Sequence, residues 1–313
     1  IDAQKFSQGV RLTAYAAGTA NRLWSVRVQG GINSPVLAAN AAGTLVLAGA
    51  HQDSLTVGST TIPAHPTVVN FLARLDVNNG ALLNSVNLDT GGSLYIRKIA
   101  LDGGENIYLA AVGLGQIQLP GALPVLMASG DFLFAKLDAL AISARVTNLS
   151  GNGLSDLNSL VVGADGSLFA GGYSNGQLNS TEDLIVAADG YVAAFDPSGA
   201  SRWTRKIAGP ELNLVTALAI DSMGRPCVSA VTDYNGATSK LLVRKYDLSG
   251  SVVWSLVPEA TAGAQLVYPS GLVSDPVSGA LTLLGVYLDS ITLWGAQLGT
   301  GQAGGLGTFL FKL

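Results

Sequence analysis

Hydrophobic positions along this chain fall in short runs of Val, Leu, Ile, Tyr and Phe, each ended by a cluster of Gly, Asn, Asp, Ser or Pro. No long window keeps a helical period, and runs of this kind read as strands joined by tight turns. The runs also recur. Aligning the third strand of each group gives "FLARLDVNNGALLNSV", "FLFAKLDALAISARV", "YVAAFDPSGASRWTRK" and "LVRKYDLSGSVVWSL", with strand-ending aspartates at Asp76, Asp138, Asp196 and Asp247, spaced by 62, 58 and 51 residues. A second anchor is a turn glycine between the first two strands, at Gly43, Gly104, Gly166, Gly224 and Gly279, spaced by 61, 62, 58 and 55. Two anchors that drift together mark one supersecondary unit repeated with insertions.

Each unit holds four runs, here lettered a to d, as in "ALAIDS", "PCVSAV", "LVRKYD" and "VVWSL". Four-stranded antiparallel meanders at this spacing predict an all-β fold, a β-propeller whose blades pack face to face. Strands c and d stand alone at the N-terminus ("VRLTAYA", "LWSVRV"), four complete units follow, and a, b and c end the chain at "TFLFKL". Five inner strands predict five blades, closed by pairing the N-terminal d strand with the C-terminal strands. The expected organisation is a single propeller domain over 1–313, with units near 10–69, 70–130, 131–189, 190–240 and 241–307 and a closing strand at 308–313. One c strand, Val10 to Ala16, is then surplus. It is expected to lie outside the ring, to replace "TFLFKL", or to pair with another molecule by strand addition.

Small residues recur late in strand b (Ala48 and Gly49, Ala110 and Ala111, Gly171 and Gly172, Ser229 and Ala230, Leu284 and Gly285), where neighbouring sheets must approach closely. Trp24, Trp203 and Trp254 share one register in strand d, with Asn84 and Ala144 in the other units. A periodic aromatic of this kind is expected to fill the gap between sheets rather than to form a sugar platform.

Composition narrows the functional classes. Charged residues make up only 12% of the chain against 48% hydrophobic, with 39 glycines, so the surface is finished with small neutral side chains, which suits an exported protein. A net charge of −4 with 17 Lys and Arg supplies no basic stripe for nucleic acid or for an anionic membrane surface. No apolar run reaches the length of a spanning helix, so no membrane insertion is expected. The N-terminus lacks signal-peptide organisation; a signal, if any, is already removed. Cys227 is the single cysteine and reads as a small buried hydrophobe.

The stretches "GQIQLPGALPVLMASGDFLFAKLDAL" and "LAIDSMGRPCVSAVTD" resemble the bacterial exported β-propeller repeats called SBBP repeats, best at Asp131 to Asp138 and Ala219 to Gly224. The family's Lys is Arg74 in one unit and Ala194 in another, and its Trp is missing from two. The resemblance implies secretion or a cell-surface location and a scaffold or recognition role. It implies no catalytic residue.

Functional differences should lie where the repeats differ. The b-to-c connections vary most, and four carry a small alternating pattern ("SLTVGSTTI", "GQIQLPGALPV", "GQLNSTEDLIV", "SITLWGAQL") that predicts an extra hairpin standing off the ring. Strands alternate in direction, so these connections share a face with the d-to-a loops, including "LDTGGSLY" and "SGNGLSDLN". That face is the expected binding surface, with Tyr95, Asn152, Asp156, Tyr234, Tyr268 and Trp294 as candidate contacts. His51 and His65 lie in one loop and read as solvated loop histidines; no metal or other cofactor is expected. No nucleophile elbow or nucleotide-binding glycine loop occurs, so no catalytic residue is assigned. Three classes remain open on sequence: a non-enzymatic module assembling with another protein or with itself, a lectin-like glycan binder, and a polysaccharide hydrolase or lyase requiring convergent carboxylates.

Overall fold

Runs this short satisfy their backbone groups only by pairing with neighbours, and among the described residues every regular element is a strand. The computed structural model describes residues 2–6, 9–16, 19–40, 42–88, 90–129, 131–142, 144–150, 156–176, 185–186, 188–258, 266–275, 277–299 and 304–313. The chain divides into two compact units, Ile1–Asn148 and Leu149–Leu313.

The first unit carries β1 (Asp2–Phe6), β2 (Gly9–Tyr15), β3 (Arg22–Gln29), β4 (Asn33–Ala39), β5 (Thr44–His51), β6 (Leu55–Val57), β7 (Thr60–Ile62), β8 (Val69–Asp76), β9 (Leu82–Leu88), β10 (Ser93–Leu101), β11 (Ile107–Ile117), β12 (Val125–Met127), β13 (Phe132–Leu137) and β14 (Ala144–Leu149). Its sheets run β1-β2-β3-β6-β7, β4-β5-β8-β9 and β10-β11-β13-β14, with β12 paired to the far end of β11. The second unit carries β15 (Asp156–Val162), β16 (Leu168–Tyr173), β17 (Gly190–Phe195), β18 (Ser201–Ile207), β19 (Leu212–Ile220), β20 (Pro226–Tyr234), β21 (Lys240–Tyr246), β22 (Val252–Leu256), β23 (Leu266–Ser274), β24 (Leu281–Leu288), β25 (Ser290–Leu293), β26 (Ala296–Gly299) and β27 (Leu306–Lys312). Its sheets run β15-β16-β17-β18, β19-β20-β21-β22, β23-β24-β27 and β25-β26. The four-stranded sheets are the repeat meanders, each in a-b-c-d order.

Within each unit, consecutive sheets bury their faces against one another. In the first, Val46, Ala48 and Leu72 pack with Leu94, Leu109 and Leu133; in the second, Phe169, Val192 and Trp203 pack with Val215, Val228 and Leu242. Small b-strand residues have the reason expected of them: a Cβ on Gly171 would stand 2.6 Å from Val215 Cγ1 on the next sheet. Innermost strands share a feature not foreseen from sequence, a break in register at Ile96/Lys98, Leu157/Ser159, Val215/Ala217 and Pro269/Gly271, which is a β-bulge in strand a.

The repeated aspartates and tryptophans form one joint. At the end of strand c, Asp196 Oδ1 accepts the backbone N–H of Ser198 and Ala200, and Asp247 Oδ1 those of Ser249 and Ser251, tying each c-to-d turn closed. The glycine of that turn takes positive φ, +74° at Gly80 and +82° at Gly250. The tryptophan of the preceding sheet then lies over the glycine and donates Nε1–H to the turn: Trp24 to Val77 O at 2.7 Å and Trp203 to Leu248 O at 3.0 Å. A Cβ on Gly80 or Gly250 would approach those indoles to 2.7 and 2.8 Å. The tryptophans are therefore packing residues, as the periodicity implied.

One expectation fails at the N-terminus. Residues 10–16 are not a spare strand, because Val10 and Leu12 are fully buried in the cluster with Val28, Leu45 and Leu47. β3 pairs with β2 along one edge and, at Val28 and Gln29, with β6 on the other, while β27 pairs with β24. The hairpin β6–β7 does not stand apart but extends the sheet of β3 through Val28↔Val57 and Gln29↔Thr56. Hairpins at β11–β12 and β25–β26 follow the expected pattern. Most of the fourth, at 177–184, lies outside the described residues.

Removing only the indole N–H should weaken this joint by a hydrogen bond. Trp203→Phe is expected to lower unfolding stability by about 1–2 kcal/mol and Trp203→Ala by about 3–5 kcal/mol in urea titrations. A Trp203→Phe variant as stable as the wild type would show that Nε1 contributes nothing.

Candidate binding face

Charged side chains in this sequence are few, and the described ones are largely committed to turns. Asp221, in the a-to-b turn before Cys227, accepts backbone N–H from Met223 and Arg225 at Oδ1, while Oδ2 takes the Arg225 guanidinium and the Lys245 ammonium from strand c. Burial alone would raise its pKa, but the Lys245 contact, then the Arg225 bonds, hold it at about 2. Asp102 plays the same part with Asn106, Tyr108 and, at 3.8 Å, Lys136. Where strand c carries Ala194 in place of the lysine, Arg202 from strand d reaches Ser167 Oγ beside Asp165. Arg74 instead crosses to the next sheet and pairs with Glu105 at 2.8 Å. The recurring acid and base are thus a structural pair across each turn. Cys227 is buried, and burial, with Asp221 adding to it, pushes its thiol up to about 11.

In the first unit a groove of about 600 Å³ opens between the β4-β5-β8-β9 and β10-β11-β13-β14 sheets, lined by Thr67, Val68 and Asn70, by the d-to-a loop Thr90 to Tyr95, and by Leu114 and Gly115. Three loops expected to share a face therefore do so here. Their closeness depends on glycine: a Cβ on Gly92 would meet Leu114 O at 2.8 Å and Gln116 O at 2.9 Å, and Gly91 takes φ +73°. Thr90 Oγ1 donates to Gly92 O at 3.1 Å, and Gln118 N–H donates to Thr90 O, which pins the loop. Asn70 Nδ2 donates to Leu94 O at 2.8 Å, joining the two sheets at the groove floor. Tyr95, Val68 and Leu114 stand on the rim, 58, 62 and 57% exposed.

The other candidates distribute as follows. Asp156 and Tyr268 come together in the second unit: burial, then the charge of Asp156 and the neighbouring Tyr173, raises the Tyr268 hydroxyl pKa. Tyr191, fully buried, feels the same aspartate and reaches Asp156 O at 3.4 Å. Tyr234 ends β20, half-buried, opposite Leu212. Trp294 sits with Gly295 at the tip of β25–β26, both at positive φ (+47° and +81°), and turns its ring edge-on to Phe311, centroids 5.3 Å apart. Asn152 lies outside the described residues. The candidates do not form one site. Sequence reasoning had the loop "LDTGGSLY" but took only Tyr95 from it; the Gly-Gly pair was the available signal.

His51 is not a solvated loop histidine: it ends β5 and is buried, its Nδ1 2.9 Å from Asp53 O and its Nε2 3.1 Å from Asn87 Oδ1. His65 bonds within its own loop, to Thr67. Among the described residues no three His, Cys, Asp or Glu side chains gather as a metal site would require, and no helix is long and apolar enough to cross a membrane.

No protein-family model matches this sequence, and no curated protein matches it. Solved structures resemble the chain at low identity. An ulvan lyase of a new polysaccharide lyase family is 10% identical over 94% of this chain and 80% of its own, at a TM-score of 0.48. BamB from Moraxella catarrhalis is 12% identical over 96% of this chain and 88% of its own, at 0.41. The periplasmic gluconolactonase PpgL of Pseudomonas aeruginosa is 13% identical over 96% and 95%, at 0.40. At these scores the likenesses decide nothing about activity.

The turn carboxylates give the fold a pH dependence of definite sign. Asp221, Asp102 and Asp165 all have folded pKa values below the ordinary one, so their stabilisation is present above about pH 4 and is lost as pH falls towards 2. Urea midpoints should drop over that window. Asp221→Asn should remove about 2 kcal/mol at pH 7 and flatten the acid limb, and an unchanged limb would contradict the Asp221–Lys245 assignment.

Proposed function

We propose that this chain is an exported, non-enzymatic interaction module, a β-propeller of SBBP-like repeats with five inner strands, that assembles through its last sheet with a copy of itself. The observation that carries this reading is the edge of β27. In the four meander sheets a d strand lies outside strand c; in the last sheet strand c, β27, is outermost among the described residues. Leu281 and Leu313 exchange both backbone hydrogen bonds, so in the antiparallel register Phe311, Phe309 and Gly307 also point their backbone groups at β24. The backbone groups of Leu306, Thr308 and Leu310 consequently point away from it, along the open edge.

Edges of this kind are normally blunted by lysine, proline, a bulge or a covering strand. Here Lys312 alone stands at the end, and Leu306 and Leu310 are 71 and 70% exposed. Leu310 is registered with Leu284, itself exposed, and Tyr268 and Val273 lie exposed on β23 of the same sheet. An apolar strand adding at this edge would gain both hydrogen bonds and side-chain cover. Export is supported by the low share of charged residues, 12% of the chain, and a non-catalytic role by the commitment of the recurring aspartates to their turns.

Light-scattering mass tests this directly. The intact chain should gain mass with concentration, and Thr308→Pro or Leu310→Lys, both on the open edge, should stay monomeric. Truncation of residues 1–16 is unsuitable because it would remove Val10 and Leu12 from the core. A monomer at all concentrations, or association unchanged in both variants, would refute assembly through β27.

A further inference from the structure

The groove beside Tyr95 is independent of the β27 edge, and its chemistry points to a different ligand. We infer that it binds an uncharged oligosaccharide.

Its lining provides what a sugar ring requires and little that other ligands would use. A pyranose presents a C–H face that packs on an aromatic ring, and a rim of hydroxyls that both donate and accept. Tyr95 supplies an aromatic side chain more than half exposed, flanked by Val68 and Leu114. Thr67, Ser93 and Asn70 supply neutral hydroxyl and amide groups, and Asn70 is oriented by its Nδ2 bond to Leu94 O. Gly91 and Gly92 leave peptide groups unshielded by side chains along the same wall. Among the described residues no Asp, Glu, Lys, Arg or His lines the groove, so none of these neutralises a uronate or sulfate. The volume, about 600 Å³, lies within the range of small-ligand sites and gives room for a short oligosaccharide.

The groove is also built rather than incidental. Thr90 and Gln118 fix its loop by hydrogen bonds, and the Gly92 contact with β11 admits no side chain, so the walls are held in place before any ligand arrives. Preformed walls reduce the ordering cost of weak, neutral contacts. Tyr95 itself is paired in β10 opposite Val112, on a strand rather than a free loop, which holds its Cα rigidly.

The test uses the intact chain with cellotetraose, laminaritetraose, chitotetraose and mannotetraose as neutral probes and tetragalacturonate as the charged control, read by saturation-transfer NMR and titration calorimetry. At least one neutral probe should bind. Tyr95→Ala should weaken it by about tenfold or more while Tyr95→Phe stays within about threefold, the signature of ring stacking. Tyr95 is exposed, so both variants should keep the wild-type melting curve. Failure of all four neutral probes at millimolar concentration, preference for tetragalacturonate, or undiminished binding in Tyr95→Ala would each overturn the inference. None of these outcomes bears on association through β27, because Tyr95 lies on β10 and not on β27.

Discussion

The hydrogen bond from a tryptophan indole to the turn of the next sheet shows why this chain has the form it has. Trp203 can donate to Leu248 O only if the following sheet presents a turn closed by Asp247 and opened to the ring by Gly250. A single meander of this composition has two apolar faces and few charges with which to solvate them. It becomes stable only when a copy supplies the facing wall and the turn on which its outer strand rests. Ser239 and Asn70 extend the same dependence to the inner strands, bonding to Val267 and Leu94 of the sheets that follow.

This dependence governs where polar groups go. With so few ionisable side chains, the fold commits its aspartates to turns and pairs two of them with a cation from an adjacent strand, Lys245 at Asp221 and Lys136 at Asp102. Much of the remaining exposed surface is neutral and in places apolar, with charges scattered at positions such as Arg22, Asp53 and Glu211. Recognition by such a surface has to work through backbone edges, aromatic rings and hydroxyl groups. The open edge of β27 and the groove at Tyr95 are the two places where those groups are concentrated.

Much of the repeat architecture was legible because turns impose residue types. Asp at the end of strand c, Gly at positive φ and Trp one register into strand d each answer a local geometric demand, so their spacing reports the unit directly. Departures are local too: Glu105, not Gly104, takes the left-handed position in its turn, and Ala141 takes it where other units place glycine. Edge pairing was not legible. The register of "LWSVRV" identifies it as a d strand but does not say whether "LTV" or the C-terminal sheet will lie beside it, since both present alternating apolar side chains. The groove was half legible, because Tyr95 and the Gly-Gly pair are visible in sequence but the approach of Gly92 to β11 is a property of packed sheets.

If each sheet rests on its neighbour, the proposed assembly has a second copy cover the edge of β27. Amide hydrogen exchange at β27, followed by NMR as a function of protein concentration, measures that most directly. The account predicts that the N–H groups of Thr308 and Leu310, pointing away from β24, exchange fast in dilute solution and become protected as concentration rises, while those of Phe309 and Phe311 are protected throughout. Equal protection of all four at every concentration, or fast exchange of Thr308 and Leu310 at every concentration, would contradict it.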